Sequence, residues 1–220
     1  MTVPVLRAFV KQYPTVKLTV ISRPFFKPFF DGIPNLEFFA FDEKERHKGF
    51  PGLLRLFKDV KKLKIDAFAD LHNVLRSKVV SLLFALSGKK RATVDKGREG
   101  KKELTRAENK VFKQLPTMFE RHAKVFSALG FPLDLSKPVF PEKAVLSSDI
   151  LDIIGNENQK LIGIAPFAQY DSKVYPLDLM KEVIAKLAEN PSYKILLFGG
   201  GKKEIEILDS ISEPFEKVIN

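Results

Sequence analysis

The sequence predicts an α/β fold built on parallel sheets, and three observations predict it. Short apolar segments rich in β-branched residues alternate with longer segments of helical periodicity along most of the 220 residues. The helical segments lie between successive strands, as the crossover of a parallel pair requires. A composition of 45% hydrophobic and 29% charged residues is enough for one large domain or two smaller ones with cores of their own.

Residues 3–13 carry apolar side chains at helical spacing, Val3, Leu6 and Val10 with Val5 and Phe9, and residues 16–21 read as a strand. Residues 24–30 are helical or turn-like and residues 36–41 extended. Residues 51–64 form a helix, 65–71 a short apolar strand, 75–86 a helix and 91–94 a strand. Each crossover must return to the same edge of its neighbour, so the sheet is parallel, doubly wound and covered on both faces. Residues 97–105 lose apolar periodicity, turn basic and contain glycine, which reads as a mobile loop. A helix over 116–129 is stopped by Gly130-Phe131-Pro132, and the proline-spaced stretch 136–141 suits an extended linker. The boundary divides the chain into residues 1–145 and 146–220. After a short helix at 148–154 the pattern restarts: strand 161–165, helix 177–188, strand 194–198, glycines at 199–201 and helix 204–211. A first domain that opens on a helix, and a second with about two strands, are expected to be parts of larger domains.

No apolar run approaches the roughly 20 residues of a membrane-spanning helix, and the start lacks a secretory leader. The absence of cysteine excludes disulfides, thiolate metal sites and a cysteine nucleophile, and suits a reducing, cytoplasmic setting. A net charge of +10 favours anionic partners: nucleic acid, an acidic membrane surface or phosphorylated small molecules. The basic run 58–64 lies on an amphipathic pattern with Leu53, Leu56, Phe57, Val60 and Leu63, so it reads as the wet face of a helix. The basic stretch 89–102 has no such explanation.

Three places carry candidate chemistry. Gly199-Gly200-Gly201 stands between a buried strand and a helix, where backbone N–H groups and the helix dipole receive a phosphate. An isolated triplet more often makes only a tight turn, and it matches neither the dinucleotide fingerprint nor a P-loop. The polar loop from Ile164 to Pro176, Ile164-Ala165-Pro166-Phe167-Ala168-Gln169-Tyr170-Asp171-Ser172-Lys173-Val174-Tyr175-Pro176, leaves a strand and enters a helix with Pro176 near its first turn, setting the mobile cation of Lys173 near a helix N-terminus, which suits a diphosphate as well as it suits an exposed lysine beside a cap. Asp70 and His72 run off a strand end and Arg76 opens the next helix, so the three line a cleft, or else Asp70 pairs with Arg76 and His72 caps the turn. Three scattered histidines supply neither a metal triad nor a hydrolase triad.

In order along the chain, five segments carry a resemblance: Met1-Thr2-Val3-Pro4-Val5-Leu6-Arg7, Asp70-Leu71-His72 with Arg76-Ser77, Leu129-Gly130, Lys173-Val174-Tyr175-Pro176, and Gly199-Gly200 with Glu204. Over essentially its whole length the sequence resembles the heptosyltransferases and related family 9 glycosyltransferases of bacterial lipopolysaccharide assembly. That resemblance implies two Rossmann-like domains of GT-B type, the first lacking its opening strand and the second truncated. Residues 1–145 would take the acceptor saccharide and residues 146–220 the nucleotide-sugar. It implies an inverting transfer of a sugar, a heptose in the heptosyltransferases, from an ADP-sugar to a lipopolysaccharide-core or related glycan, with no cofactor and no metal. Lys173, Ser172 and Gln169 would meet the donor diphosphate; Gly199, Gly200 and Glu204 the nucleotide, with Glu204 on the ribose; Asp70, His72 and Arg76 the acceptor side. The general-base aspartate is expected just before the segment matched by Met1, so no catalytic residue is assigned within these 220 residues and they are expected to be inactive alone. Gln169 stands where serine or threonine is common, and Tyr175 where tryptophan is.

The resemblance also implies work at the cytoplasmic face of the inner membrane, with the basic stretch 89–102 touching anionic headgroups. Two alternatives compete: a nucleotide- or nucleic-acid-binding module, and a noncatalytic scaffold of the same fold. Nucleic acid is not expected, because basic and aromatic residues do not interleave on a recognisable RNA-binding strand and no recognition-helix signature is present.

Overall fold

The computed structural model describes residues 1–155 and 159–220. Two compact units divide at Glu142 and Lys143, Met1–Glu142 and Lys143–Asn220.

The first unit opens on helix α1 (Thr2–Gln12), whose apolar spacing buries Val5, Leu6, Phe9 and Val10 on one face. Strands β1 (Leu18–Ser22) and β2 (Leu36–Ala40) are parallel in register Leu18 to Leu36, joined through a 3₁₀ turn at Pro24–Phe29. Helix α2 (Gly49–Lys61) leads to β3 (Ala67–Asp70), and α3 (Leu75–Leu86) carries the chain to β4 (Lys90–Thr93), again parallel.

Side-chain alternation places both strand pairs in one layer. Leu18, Val20, Leu36 and Ala69 face the cluster of α1 with Phe126, while Ile21, Phe39 and Phe68 face α2 and α3 around Leu56, Val60 and Phe84. Both strand pairs pack against the same two clusters, yet in their hydrogen bonding they stand apart: β1–β2 and β3–β4 are separate two-stranded ladders.

Residues 97–105 correct the loop reading, because α4 occupies Arg98–Thr105. The Asp95 carboxylate accepts the Gly97 N–H at 2.8 Å and Gly97 turns into the helix at φ +61°. Arg98, Glu99, Lys101, Lys102 and Glu103 are good or tolerable helix formers, so α4 forms without burying any residue, and apolar periodicity carries no trace of it. Glycine is required at 97 for a second reason, since a Cβ there would lie 2.2 Å from Arg121 Nη2. Helix α5 (Met118–Ala128) starts on a capping box between Thr117 and Glu120.

The second unit holds α6 (Ser148–Ile154), β5 (Lys160–Ile164), α7 (Leu177–Ala188), β6 (Tyr193–Leu197), α8 (Lys202–Ser212) and β7 (Val218–Ile219). Its parallel sheet has three strands in the order β5-β6-β7, one more than the sequence pattern suggested, because a two-residue strand is too short to register as an apolar run. Ile184, Ile195, Leu197, Leu208, Ile211 and Val218 form its core.

Phe84, 1% exposed and packed against Phe57 and Phe68, carries the helix-to-strand contact of the first unit. Phe84→Ala is expected to destabilise that unit by about 3–5 kcal/mol in denaturant melts. Burial also holds His122 below the usual imidazole range. The folded state then binds fewer protons than the unfolded chain, so stability is intact above the unfolded value of about 6.5 and declines as pH falls below it. Melting followed from pH 7.5 to 5.5 is expected to show this decline, with a flatter slope in His122→Gln; equal slopes would contradict it.

Candidate functional site

In the second unit, parallel pairing brings the ends of β5 and β6 together, Ile164 beside Leu197, so the chain leaves both strands on one edge of the sheet. A cavity of about 450 Å³ opens there, lined by Phe167, Ala168, Gln169, Phe198, Gly199 and Glu204. Two aromatic rings and a carboxylate thus line an open depression of ligand-site size.

Glu204 sits in the first turn of α8, where its charge complements the helix dipole, and its Oε2 accepts the Gly200 N–H at 2.8 Å. That bond folds the glycine loop over the helix start. A Cβ on Gly199 would lie 2.8 Å from Leu208 Cδ1 and 3.3 Å from both Glu204 Oε2 and Phe167 Cε2, so only glycine lets the backbone lie this close. Gly201 enters α8 at φ +83° without a side-chain cap, leaving the first-turn amides to other acceptors.

Of the residues expected at the donor site, Gln169, Gly199 and Glu204 share this cavity, and Gly200 is tied to it through Glu204. Ser172 and Lys173 do not line it. They occupy an exposed 3₁₀ turn at Asp171–Lys173, with the Lys173 ammonium 5.3 Å from the centre of the Tyr170 ring. Such an exposed cation–π contact is worth about 0.5–1 kcal/mol and releases the lysine readily. Phe167 and Phe198 escape sequence reasoning, although each follows closely on a strand end, where these sheets gather ligands.

In the first unit the expected cleft residues are engaged separately. Asp70 is buried at 2% exposure; its Oδ1 accepts the N–H groups of His72 and Asn73 at 2.9 and 2.7 Å, and its Oδ2 accepts the Ser77 hydroxyl at 2.8 Å. The carboxylate therefore organises the turn from β3 into α3. His72 is exposed. Arg76 pairs with Glu43 at 2.8 Å and lies over Phe41, and its hydrogen bond holds the Glu43 carboxyl below the usual range. Glu43 also meets Arg23 at 3.4 Å. Among the described residues no group of metal-ligating side chains converges, and no helix is long and apolar enough to cross a membrane.

The sequence model of glycosyltransferase family 9 (heptosyltransferase) matches residues 53–220. Solved structures share the fold. A family 9 glycosyl transferase from Veillonella parvula superposes with a TM-score of 0.70 at 18% identity, over 99% of this chain and 64% of that one. The E. coli ADP-heptose lipopolysaccharide heptosyltransferase II gives 0.65 at 18% identity, over 100% and 67%. The E. coli heptosyltransferase WaaC with ADP gives 0.64 at 15% identity, over 99% and 69%. The chain thus spans about two thirds of the length of these proteins. No curated protein sequence matches it significantly.

The two neighbouring glycines of the cavity loop are expected to respond differently to a methyl group. Gly199→Ala must displace Leu208 or Phe167 and should lower the melting midpoint of the second unit by the equivalent of about 1–3 kcal/mol. Gly200→Ala meets open space and should change it by less than about 0.5 kcal/mol.

Proposed function

The chain belongs to glycosyltransferase family 9, the heptosyltransferase family, and we propose that it serves as an inverting glycosyltransferase whose second unit binds the nucleotide-sugar and whose first unit faces the acceptor. The observation that carries this reading is the cavity beyond β5 and β6, where Phe167, Phe198, Gly199 and Glu204 meet. The aromatic rings offer an apolar surface to a base. One carboxylate oxygen of Glu204 holds the glycine loop, and in this reading the other accepts a ribose hydroxyl. Gly199 lets the nucleotide approach the backbone.

Lys173 then has a defined task. A departing diphosphate develops negative charge, and a lysine resting loosely on Tyr170 can move to it with Ser172 and Gln169 beside it. In the proposed step an acceptor hydroxyl loses its proton to a carboxylate base and its oxygen attacks the anomeric carbon. The bond from that carbon to the diphosphate oxygen breaks on the opposite face, inverting the configuration and releasing the nucleoside diphosphate.

The WaaC structure matched here contains ADP and a related one contains an ADP-heptose analogue, which favours an ADP-sugar, and a heptose, as donor. We extend this to a lipopolysaccharide-core or related glycan as acceptor, met at the cytoplasmic face of the membrane, with Lys89, Lys90, Lys101 and Lys102 set against anionic headgroups. Asp70, the exposed His72 and Arg76 belong to the acceptor side in this reading, with Asp70 acting through the turn it organises.

Titration calorimetry with ADP tests the donor site. Saturable binding is expected, weakened about tenfold by Lys173→Ala, the loss of one charge-assisted hydrogen bond, and at least as much by Glu204→Gln. Absence of saturable binding by the folded chain, or affinity unchanged by both substitutions, would overturn the assignment.

A further inference from the structure

Helix α3 is apolar on two sides, and the first unit covers only one of them. Val80, Ser81 and Phe84 are buried, with Val80 and Phe84 in the cluster of Leu56 and Val60. At roughly 100° per residue, Leu75, Leu82 and Leu86 fall within about 40° of one another on the opposite side of the helix. These three leucines are 79%, 51% and 77% exposed, so they form a stripe along the outer face of α3. A helix that is hydrophobic all round is normally enclosed. Here one face lies on the sheet and the other meets solvent over roughly 16 Å of helix.

The charge around the stripe has one sign. Residues 71–94 contain no Asp or Glu, while Arg76, Lys78, Lys89, Lys90 and Arg91 fall within them. Lys78 borders the stripe on α3 itself, and Lys89 and Lys90 follow directly on the helix end, which Gly88 closes at φ +77°. Elsewhere in this unit cations are paired: Glu43 holds Arg23 and Arg76, Asp31 holds Lys27, and Asp59 is shared by Arg46, His47 and Lys62. Among the described residues Lys78, Lys89 and Lys90 make no ion pair. A second copy seated on this face would set lysine against lysine, with no carboxylate from the same segment to relieve the repulsion. An anionic bilayer offers what the face lacks, an acyl boundary for the leucines and phosphates for the lysines.

We propose that the outer face of α3 is a membrane anchor, in which Leu75, Leu82 and Leu86 enter the acyl boundary of an anionic bilayer while Lys78, Lys89 and Lys90 meet its headgroups. The proposal rests on the membrane contact read above and adds an apolar element to it. A contact made by lysines alone is electrostatic and is screened away by salt. Inserted leucines persist in salt, and a short apolar stripe and a few lysines are two weak signals that together give reversible anchoring.

Flotation of the full chain with vesicles of phosphatidylglycerol and phosphatidylethanolamine, against vesicles of phosphatidylcholine alone, tests the anchor. Binding to the anionic vesicles is expected, and the Leu75→Gln/Leu82→Gln/Leu86→Gln triple variant, altered only at exposed positions and checked for folding by circular dichroism, should bind them at least tenfold more weakly. Lys89→Gln/Lys90→Gln should weaken binding severalfold. The sequence contains no tryptophan, so Leu86→Trp places a single reporter on the stripe. Its emission should shift to the blue on adding anionic vesicles and be quenched by lipids brominated on their acyl chains. Binding unchanged in the triple variant but lost in the lysine variant would overturn the insertion and leave the headgroup contact standing; no binding by the unaltered chain would overturn both. A blue shift that needs no vesicles and grows with protein concentration, with a dimer in sedimentation, would also overturn the proposal, since the stripe would then serve a second copy. ADP affinity is expected to be the same in every variant, so failure at the membrane leaves the donor site to its own test.

Discussion

Parallel strand pairing is the constraint on which the rest of this structure depends. A parallel pair cannot close through a hairpin, so every strand must hand the chain to a crossover before its neighbour begins. The loops that leave the carboxyl ends of the strands therefore collect on one edge of each sheet, and each runs toward a helix start. In the second unit this brings residues 165–169 and 198–201 together above β5 and β6, and the glycine loop is shaped by a single bond from Gly200 to Glu204. In the first unit it gathers residues 71–74 and 94–98 beside α4 and α5. The cavity beyond β5 and β6 follows from topology before any side chain is considered.

Side chains then divide the charged residues into two kinds of work. Asp70 and Glu43 are committed to structure, the first to a turn with three hydrogen bonds and the second to two arginines. Lys173, Lys78, Lys89 and Lys90 are less committed: the first rests on an aromatic ring, and the other three have no ion pair among the described residues. A transferase handling anionic groups needs cations whose partner arrives with the ligand, because charge already neutralised by the protein has little left to give.

Much of the architecture was legible because buried segments leave periodic signatures. The helix read over 75–86 is the helix found, and the strand ends at Asp70 and Leu197 fall within a residue of where apolar runs stop. Helix α4 was illegible because it buries nothing, so propensity and a glycine entry specify it without an apolar stripe. Strand β7 was too short to register. At the candidate sites the glycines, Gln169 and Glu204 stood out by motif, whereas Phe167 read only as part of the polar loop and Phe198 only as the end of a strand. Only the folded loop shows both at the edge of a cavity, Phe167 while also packed against the core of this unit. The basic stretch 89–102 stood out by charge alone, whereas the leucine stripe of α3 that leads into it shows only once the folded helix reveals which of its apolar positions stay exposed.

The central claim, that the second unit of this family 9 chain holds a nucleotide between the ends of β5 and β6, is tested most directly by amide hydrogen exchange with and without ADP. Slowed exchange confined to residues 167–173 and 198–204 is the predicted result, since the bound nucleotide would cover the glycine loop and the Lys173 turn. Protection elsewhere, with these two segments exchanging as fast as in the free protein, would contradict it.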